Sequence, residues 1–462
     1  MEKMPSNISR RTFLNSATGA VAAGLIGGSK SAAPAAMLSN SADPDASPLH
    51  ISLGIVGVGM QGSVLLRDAV AIPGVRCIAA ADLYDERHQL AKEIAGSQVS
   101  TTRRYQDLLD NKEIDCLIVA TPDHWHKKVV VDALKAGKDV YCEKPMSHSI
   151  ADGAEMVRAV QETGRIVQVG SQTVTSPVYQ KAKELIAAGR IGKVSLVEMS
   201  TGRNDPTGAW EYPVPANISE QNLDWNTWLG DTRHRPFDPV IFARWRAYRA
   251  YGTGVAGDLM VHLLSGMQCA LGSSKIPDRV LASGGLIRWK DGREYPDLHL
   301  ALLEYGDLVV SIRVTLDTET PNTTRILGSH GAIEISGGRL TCTLQRGIDT
   351  KPSYYDSGFP QAMREEYERQ WHAENDITLE KLPPLEDTET FQCVSCNDNR
   401  RHLSNFFHAV QTRAPVEEDA LFGHHAAAAC HMANESYFSR QIATRPNPAW
   451  LQPENQQHRK RL

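Results

Sequence analysis

The sequence predicts an α/β protein in two parts: an N-terminal doubly wound parallel sheet, then a C-terminal α+β domain on a large, mostly antiparallel open sheet. Three observations predict it. An apolar run at residues 51–56 ends in a glycine-rich turn that opens a helix. Short apolar runs then alternate with helical segments to about residue 170, as a parallel sheet with crossover helices requires. After Ser171 longer strand-like runs joined by short turns take over, the pattern of antiparallel pairing.

The first apolar run reads as a buried strand closed by Gly57-Val58-Gly59-Met60-Gln61-Gly62. In this GxGxxG turn Gly57 permits the tight bend and Gly59 leaves no side chain between backbone and a pyrophosphate. Gly62 lets the new helix pack on the strand, and the N–H groups around Met60 and Gln61 face the phosphates. A second run, 75–81, ends in Asp82, twenty residues past Gly62, where an acid meets ribose hydroxyls. This context specifies a Rossmann dinucleotide site and favours NAD, because a carboxylate repels a 2′-phosphate; nearby Arg87 keeps NADP open. Residues 115–120 form the next strand, closed by Thr121-Pro122, and a helix over 129–136 stops at Gly137. A strand at 138–142, a capped helix at 150–163 and a strand at 165–169 complete a domain spanning 50–170. Ligands of such sheets collect beyond the C-terminal strand ends. The glycine turn, 121–126 and 143–145 are therefore the loops of interest.

A helix near 178–188 leads into a strand at 193–199, and further strands are expected at 279–289, 298–305, 308–315 and 325–335. Residues 346–400 are polar and irregular, and a last helical stretch, 401–441, is broken at Pro415. These make a second domain over 171–440, its terminal helices packing back on the sheet or on the first domain.

The N-terminus speaks to location. Ser9-Arg10-Arg11-Thr12-Phe13-Leu14, the apolar 17–28 and Ala33-Pro34-Ala35 read as a twin-arginine (Tat) export signal over 1–36, implying transit through the Tat translocon to the periplasm or outside the cell. The apolar run is too short and rich in Gly and Ala for a stable membrane anchor. A net charge of −5 gives no overall attraction to nucleic acid. Eight cysteines do not make a disulfide scaffold. Cys393 and Cys396, the only close pair, are read as unpaired structural thiols, with a local disulfide as the alternative in an oxidising compartment. His402, His408, His424, His425 and His431 lack metal-ligand spacing, so no metal is expected.

Together the glycine turn, Asp82, the run Ala120-Thr121-Pro122-Asp123-His124-Trp125-His126 and above all Cys142-Glu143-Lys144-Pro145 resemble the glucose-fructose oxidoreductase and inositol dehydrogenase family, Gfo/Idh/MocA. The resemblance runs from about residue 50 to 440. It implies that Lys144 touches both the nicotinamide and the hydroxyl being oxidised; beside a cationic ring its ammonium form is disfavoured, which suits proton transfer. Glu143 would orient the cofactor or the lysine, and Thr121, Pro122 and His126 would line the nicotinamide side. Asp258 and His262, four apart and so on one helix face, match the family's Asp-x-x-x-His element. Either Lys144 or His262 takes the hydroxyl proton. Family members commonly pair through the open sheet, so a homo-oligomer is expected.

Between 210 and 251 lie Trp210, Tyr212, Trp225, Trp228, Trp245, Tyr248 and Tyr251, interleaved with arginines. Flat rings and guanidinium forks suit a carbohydrate, with Arg246, Tyr248 and Tyr251 the candidates to reach it, although Trp225 and Trp228 read as core. A periplasmic enzyme finds little free NAD, so the dinucleotide is expected to stay tightly bound and be restored in each cycle. The leading reading is oxidation or reduction of a sugar. The alternative is an NAD-dependent glycosidase or lyase working by transient ring oxidation, elimination and re-reduction. Intact Lys144 and His262 speak against a third reading, a sugar-binding protein without turnover.

Overall fold

The structure, a computed structural model, describes residues 48–345, 352–374, 388–393 and 398–446. The twin-arginine segment, the expected cleavage stretch and Cys396 lie outside these residues.

Six parallel strands form the first sheet: β1 (Ile51–Val56), β2 (Val75–Ala81), β3 (Ser100–Thr102), β4 (Cys116–Val119), β5 (Asp139–Glu143) and β6 (Val167–Gly170), in the order β3-β2-β1-β4-β5-β6. β1, β4, β5 and β6 are almost wholly buried, because helices cover both faces; this is why they read as unbroken apolar runs. The order reverses between β1 and β4. The loops after these strands, 57–59 and 120–122, therefore diverge to opposite faces and open a crevice.

The second sheet has nine strands, adding β7 (Val194–Gly202), β8 (Arg279–Gly285), β9 (Leu298–Tyr305), β10 (Leu308–Thr315), β11 (Thr320–Gly328), β12 (Gly331–Ser336), β13 (Arg339–Leu344), β14 (Thr388–Gln392) and β15 (Ala443–Thr444). Their order is β14-β13-β12-β11-β7-β10-β9-β8-β15, and β7 with β10 is the only parallel pair among them. One face packs on the helices Pro177–Ala187, Val261–Ala270 and Ala420–Ser439 to make the largest core. On the other face Leu281, Leu300, Leu302 and Val309 are exposed.

Several expected elements are corrected. The strand read over 279–289 stops at Gly285, because both carboxylate oxygens of buried Asp297 draw in the N–H groups of Ile287, Arg288 and Trp289 and bend the chain away. The single strand expected over 325–335 is a hairpin, β11 and β12, folded back between Gly328 and Gly331. Within the stretch read as irregular stand β14 and the helix Gln361–Glu374, which buries no residue and so carries no apolar stripe. Cys393 is disulfide-bonded, against the expectation of a free thiol. The break at Pro415 separates the helices Asp398–Thr412 and Ala420–Ser439. The first of these covers the parallel sheet: Phe406 and Phe407 enter its core, Gln168 Nε2 donates to His402 O at 2.8 Å, and His402 Nε2 donates to Val169 O at 2.7 Å.

Candidate active site

The crevice is a cleft of about 840 Å³ that runs from the glycine turn to the edge of the second domain. Its parts follow from the strand ends. Gly57 has φ +88°, and a Cβ there would lie 2.6 Å from Ala120 O. A Cβ on Gly62 would lie 2.1 Å from Gly57 O, so the helix Met60–Val70 seats on the turn only with glycine at that position. A Cβ on Gly59 would meet nothing within 4 Å: that glycine leaves room in the cleft rather than in the fold. Asp82 follows β2. Its Oδ2 accepts from Val58 N at 2.7 Å and its Oδ1 from Tyr84 N at 3.0 Å. Desolvation pushes this carboxyl above its ordinary range, and the two N–H donors pull it back. Open space at Gly59, helix N–H groups beyond it and a carboxylate at the end of β2 fit a dinucleotide, which Gly57, Gly59, Met60, Gln61 and Asp82 would hold at its phosphates and ribose.

Deeper in, Glu143 ends β5 and is buried. Its Oε1 accepts from Gln61 Nε2 at 2.9 Å and Gln172 Nε2 at 3.3 Å, and its Oε2 from Lys144 N at 3.2 Å. Burial raises its carboxyl above the usual range, with Lys144 the main opposing charge. Glu143 therefore ties the glycine turn to the strand carrying Lys144. Gln172 escaped the sequence reading, although its place just past β6, at a C-terminal strand end, was the signal for it.

Lys144 reaches across to the second domain, where its Nζ donates to Asp258 Oδ1 and to Asp258 O, both at 2.8 Å. Asp258 lies in a π-helical turn, Ala256–Met260, that runs into the α-helix Val261–Ala270 bearing His262. Such wide turns recur at functional sites. The carboxylate also meets Arg246 Nε at 3.3 Å through Oδ1 and Trp210 Nε1 at 3.1 Å through Oδ2. Burial alone would push Asp258 up, but Lys144 and Arg246 reverse this and hold it well below the usual carboxylate range. His262 lines the same cleft, and neither ring nitrogen has a hydrogen-bond partner among the described residues. Burial, with Lys144 adding to it, depresses this imidazole to about 3, so it stands neutral.

Among the residues expected here, Gly57, Gly59, Met60, Gln61, Asp82, Thr121, Pro122, Glu143, Lys144, Arg246, Asp258 and His262 line one cleft. Gly62 lies beneath it. His126 does not line it: one turn into the helix Asp123–Lys135, it is buried and its ring nitrogens meet Pro145 O and Thr121 O, bracing the two loops. Tyr251 is also withdrawn, buried in an aromatic core with Trp225, Trp228 and Tyr84, and Tyr248 packs against that core outside the cleft. Both were expected at the substrate; instead they pack behind the cleft-lining Trp228, Trp245 and Arg246, in and against the aromatic core that props the wall. Trp210, Arg203, Tyr212 and Trp245 line or support the substrate end instead. Among the described residues no group of three or more His, Cys, Asp or Glu is placed to hold a metal.

Comparison with known proteins bears on this geometry. Residues 51–171 match the profile "Oxidoreductase family, NAD-binding Rossmann fold", and residues 183–444 match "Oxidoreductase family, C-terminal alpha/beta domain". The chain belongs to the Gfo/Idh/MocA oxidoreductase family. An inositol 2-dehydrogenase of Salmonella paratyphi B is 33% identical over 187 residues, 39% of this chain and 55% of that protein. An inositol 2-dehydrogenase of Rubrobacter xylanophilus is 33% identical over 145 residues, 31% of this chain and 41% of that protein. The chain thus spans about half the length of the curated relatives it matches. A levoglucosan dehydrogenase solved with NADH and levoglucosan superposes with a TM-score of 0.62 at 16% identity, covering 86% of this chain and 100% of the other, and so shares the Gfo/Idh/MocA fold.

Proposed function

We propose that this protein oxidises a carbinol of a sugar or cyclic polyol with NAD as hydride acceptor, and that it does so after export by the Tat pathway. The observation that carries the reading is the meeting of Lys144, Asp258 and His262 at the floor of the cleft that begins at the glycine turn. The curated relatives named inositol 2-dehydrogenase support the substrate class. Bound at Gly57–Gly62 and Asp82, the dinucleotide supplies the hydride acceptor; the chain supplies the rest. Lys144, its ammonium anchored on Asp258, points its charge at the place where an alkoxide develops. His262, neutral and with its nitrogens open to the cleft, receives the hydroxyl proton, and the Asp258 carboxylate offsets the imidazolium so formed. Glu143 keeps Lys144 in register with the cofactor loop.

Asp82 supports NAD over NADP, and Arg87 on the same wall is the residue to change if NADP proves competent. Replacing Lys144 by Ala should abolish hydride transfer while leaving NADH bound, read by absorbance at the nicotinamide band and by fluorescence titration. Turnover near the wild-type rate would sink the assignment of the site. Screening the purified protein on sugars and on aryl glycosides without added NAD separates the chemistries. A net oxidised sugar establishes the dehydrogenase, and glycoside cleavage without net NADH establishes redox-cycling elimination.

A further inference from the structure

The substrate end of the cleft carries more cation than the chain itself neutralises. Arg246 lies with its guanidinium carbon 4.3 Å from the Trp245 ring centroid and 5.9 Å from that of Tyr212, sandwiched at the wall. Its Nε bonds Asp258, and among the described residues neither Nη group has a hydrogen-bond partner. Asp258 is already shared with Lys144. Arg203, at the end of β7 beside the same wall, contributes a second guanidinium without a side-chain partner among the described residues. Three other carboxyls lie near: Asp123 Oδ2 accepts from Thr253 Oγ1 at 2.7 Å, Glu143 is held by Gln61, Gln172 and the Lys144 N–H, and Asp205, close to the Arg203 side chain, accepts from Gly208 N at 2.7 Å through Oδ1. Three cations thus face one ion-paired carboxylate. The Arg246 side chain is 18% exposed and opens on the cleft, so a ligand that enters there displaces the water its Nη donors face and must supply acceptors in its place.

We propose that the substrate is an acidic carbohydrate whose carboxylate is received by the two Nη groups of Arg246, with Arg203 beside it. A planar fork matched to a planar anion gives two parallel charge-assisted hydrogen bonds, and the flanking rings of Trp245 and Tyr212 keep the fork in one plane. Arg246 then serves twice. Its Nε fixes Asp258, and its Nη edge sets the orientation of the sugar above Lys144 and His262, so that the carbinol and not the acid group meets the hydride acceptor. This proposal rests on the reading of the cleft as a sugar site given above.

The test is calorimetric titration of the protein saturated with NADH, using D-glucuronate, D-galacturonate and D-gluconate against D-glucose and D-galactose. At least one acid should bind tenfold or more tighter than its neutral parent. That advantage should fall toward unity in Arg246→Gln and be reduced in Arg246→Lys, which keeps the charge and loses the fork; Arg203→Gln provides a second, solvent-facing variant if the first folds poorly. Equal or tighter binding of the neutral sugars, no binding of any of the three acids, or an advantage that survives in every variant overturns the proposal. Neutral sugars bound and oxidised as well as acids would defeat this proposal alone. Tight binding of an acid with no reduction of NAD on any substrate would defeat the oxidoreductase reading and leave the charge recognition standing.

Discussion

Gly59 and Gly62 stand one helical turn apart and answer to different demands. A methyl group on Gly62 would collide with the Gly57 carbonyl, whereas one on Gly59 would project into the cleft. Gly62→Ala should therefore lower the melting temperature, with a cost of about 1–3 kcal/mol typical of forced overpacking. Gly59→Ala should leave that temperature alone and weaken NADH binding, measured by fluorescence titration. Trp210 is the residue whose role no sequence pattern announced. It is buried and adopts φ +66°, an uncommon conformation for so large a side chain, and its indole N–H ends on the Asp258 carboxylate. Hydrogen bonds to charged groups contribute about 1.5–3 kcal/mol. Trp210→Phe should cut kcat about ten- to a hundredfold with NADH affinity unchanged; an unaltered kcat would show that Lys144 and Arg246 hold Asp258 unaided. In the sequence Trp210 was one aromatic among seven, because a hydrogen bond spanning forty-eight positions leaves no local trace. The glycine turn and Asp82 were legible for the opposite reason: each stands at the end of an apolar run, and a strand end fixes its place in the sheet; Lys144 was singled out by the resemblance that Cys142-Glu143-Lys144-Pro145 carries.

At the scale of elements, patterning was reliable wherever burial imposed it. β1, β2, β4, β5 and β6 were found because helices cover both faces, whereas β3, three polar residues with none buried, left no apolar run to find; the helix Ile150–Thr163 announced itself through Ser149, whose hydroxyl accepts from Asp152 N. β11 and β12 merged in the reading because apolar alternation runs on through their turn, and the π-helical turn was read as ordinary helix because both place Asp258 and His262 on neighbouring surfaces. The open face of the second sheet carries a prediction. Leu281, Leu300, Leu302 and Val309 project from three adjacent strands, β8 to β10, and water is a poor neighbour for such a patch. We propose that a second copy covers it. Leu302→Lys should leave the monomer folded, since the side chain is 47% exposed, and shift the protein to a smaller species in sedimentation. An unchanged sedimentation coefficient would place the subunit contact elsewhere.

For the whole molecule, the two domains are joined by more than the linker at 171. His402, fully buried, bonds the late helix Asp398–Thr412 to β6, and burial holds its imidazole at about 4. Its folded-state value is depressed below the ordinary 6.5, so between these limits the unfolded chain binds more protons and stability falls as pH falls. The stability lead of wild type over His402→Gln should shrink by up to about 1.4 kcal/mol per pH unit across that window, read by urea titration at stepped pH. A constant gap would mean that His402 titrates normally. Sequence spacing hinted at the late helices packing back, yet could not name the partner, because Gln168 and His402 lie 234 positions apart. That distance has a consequence for biosynthesis. When the ribosome has finished the sixth strand, the seat of Phe406 and Phe407 is still bare, and it stays bare until more than half of the remaining chain has emerged. The dinucleotide half is first in the message and among the last to close, so a nascent chain must be shielded for most of its synthesis and ripens only once its far end arrives.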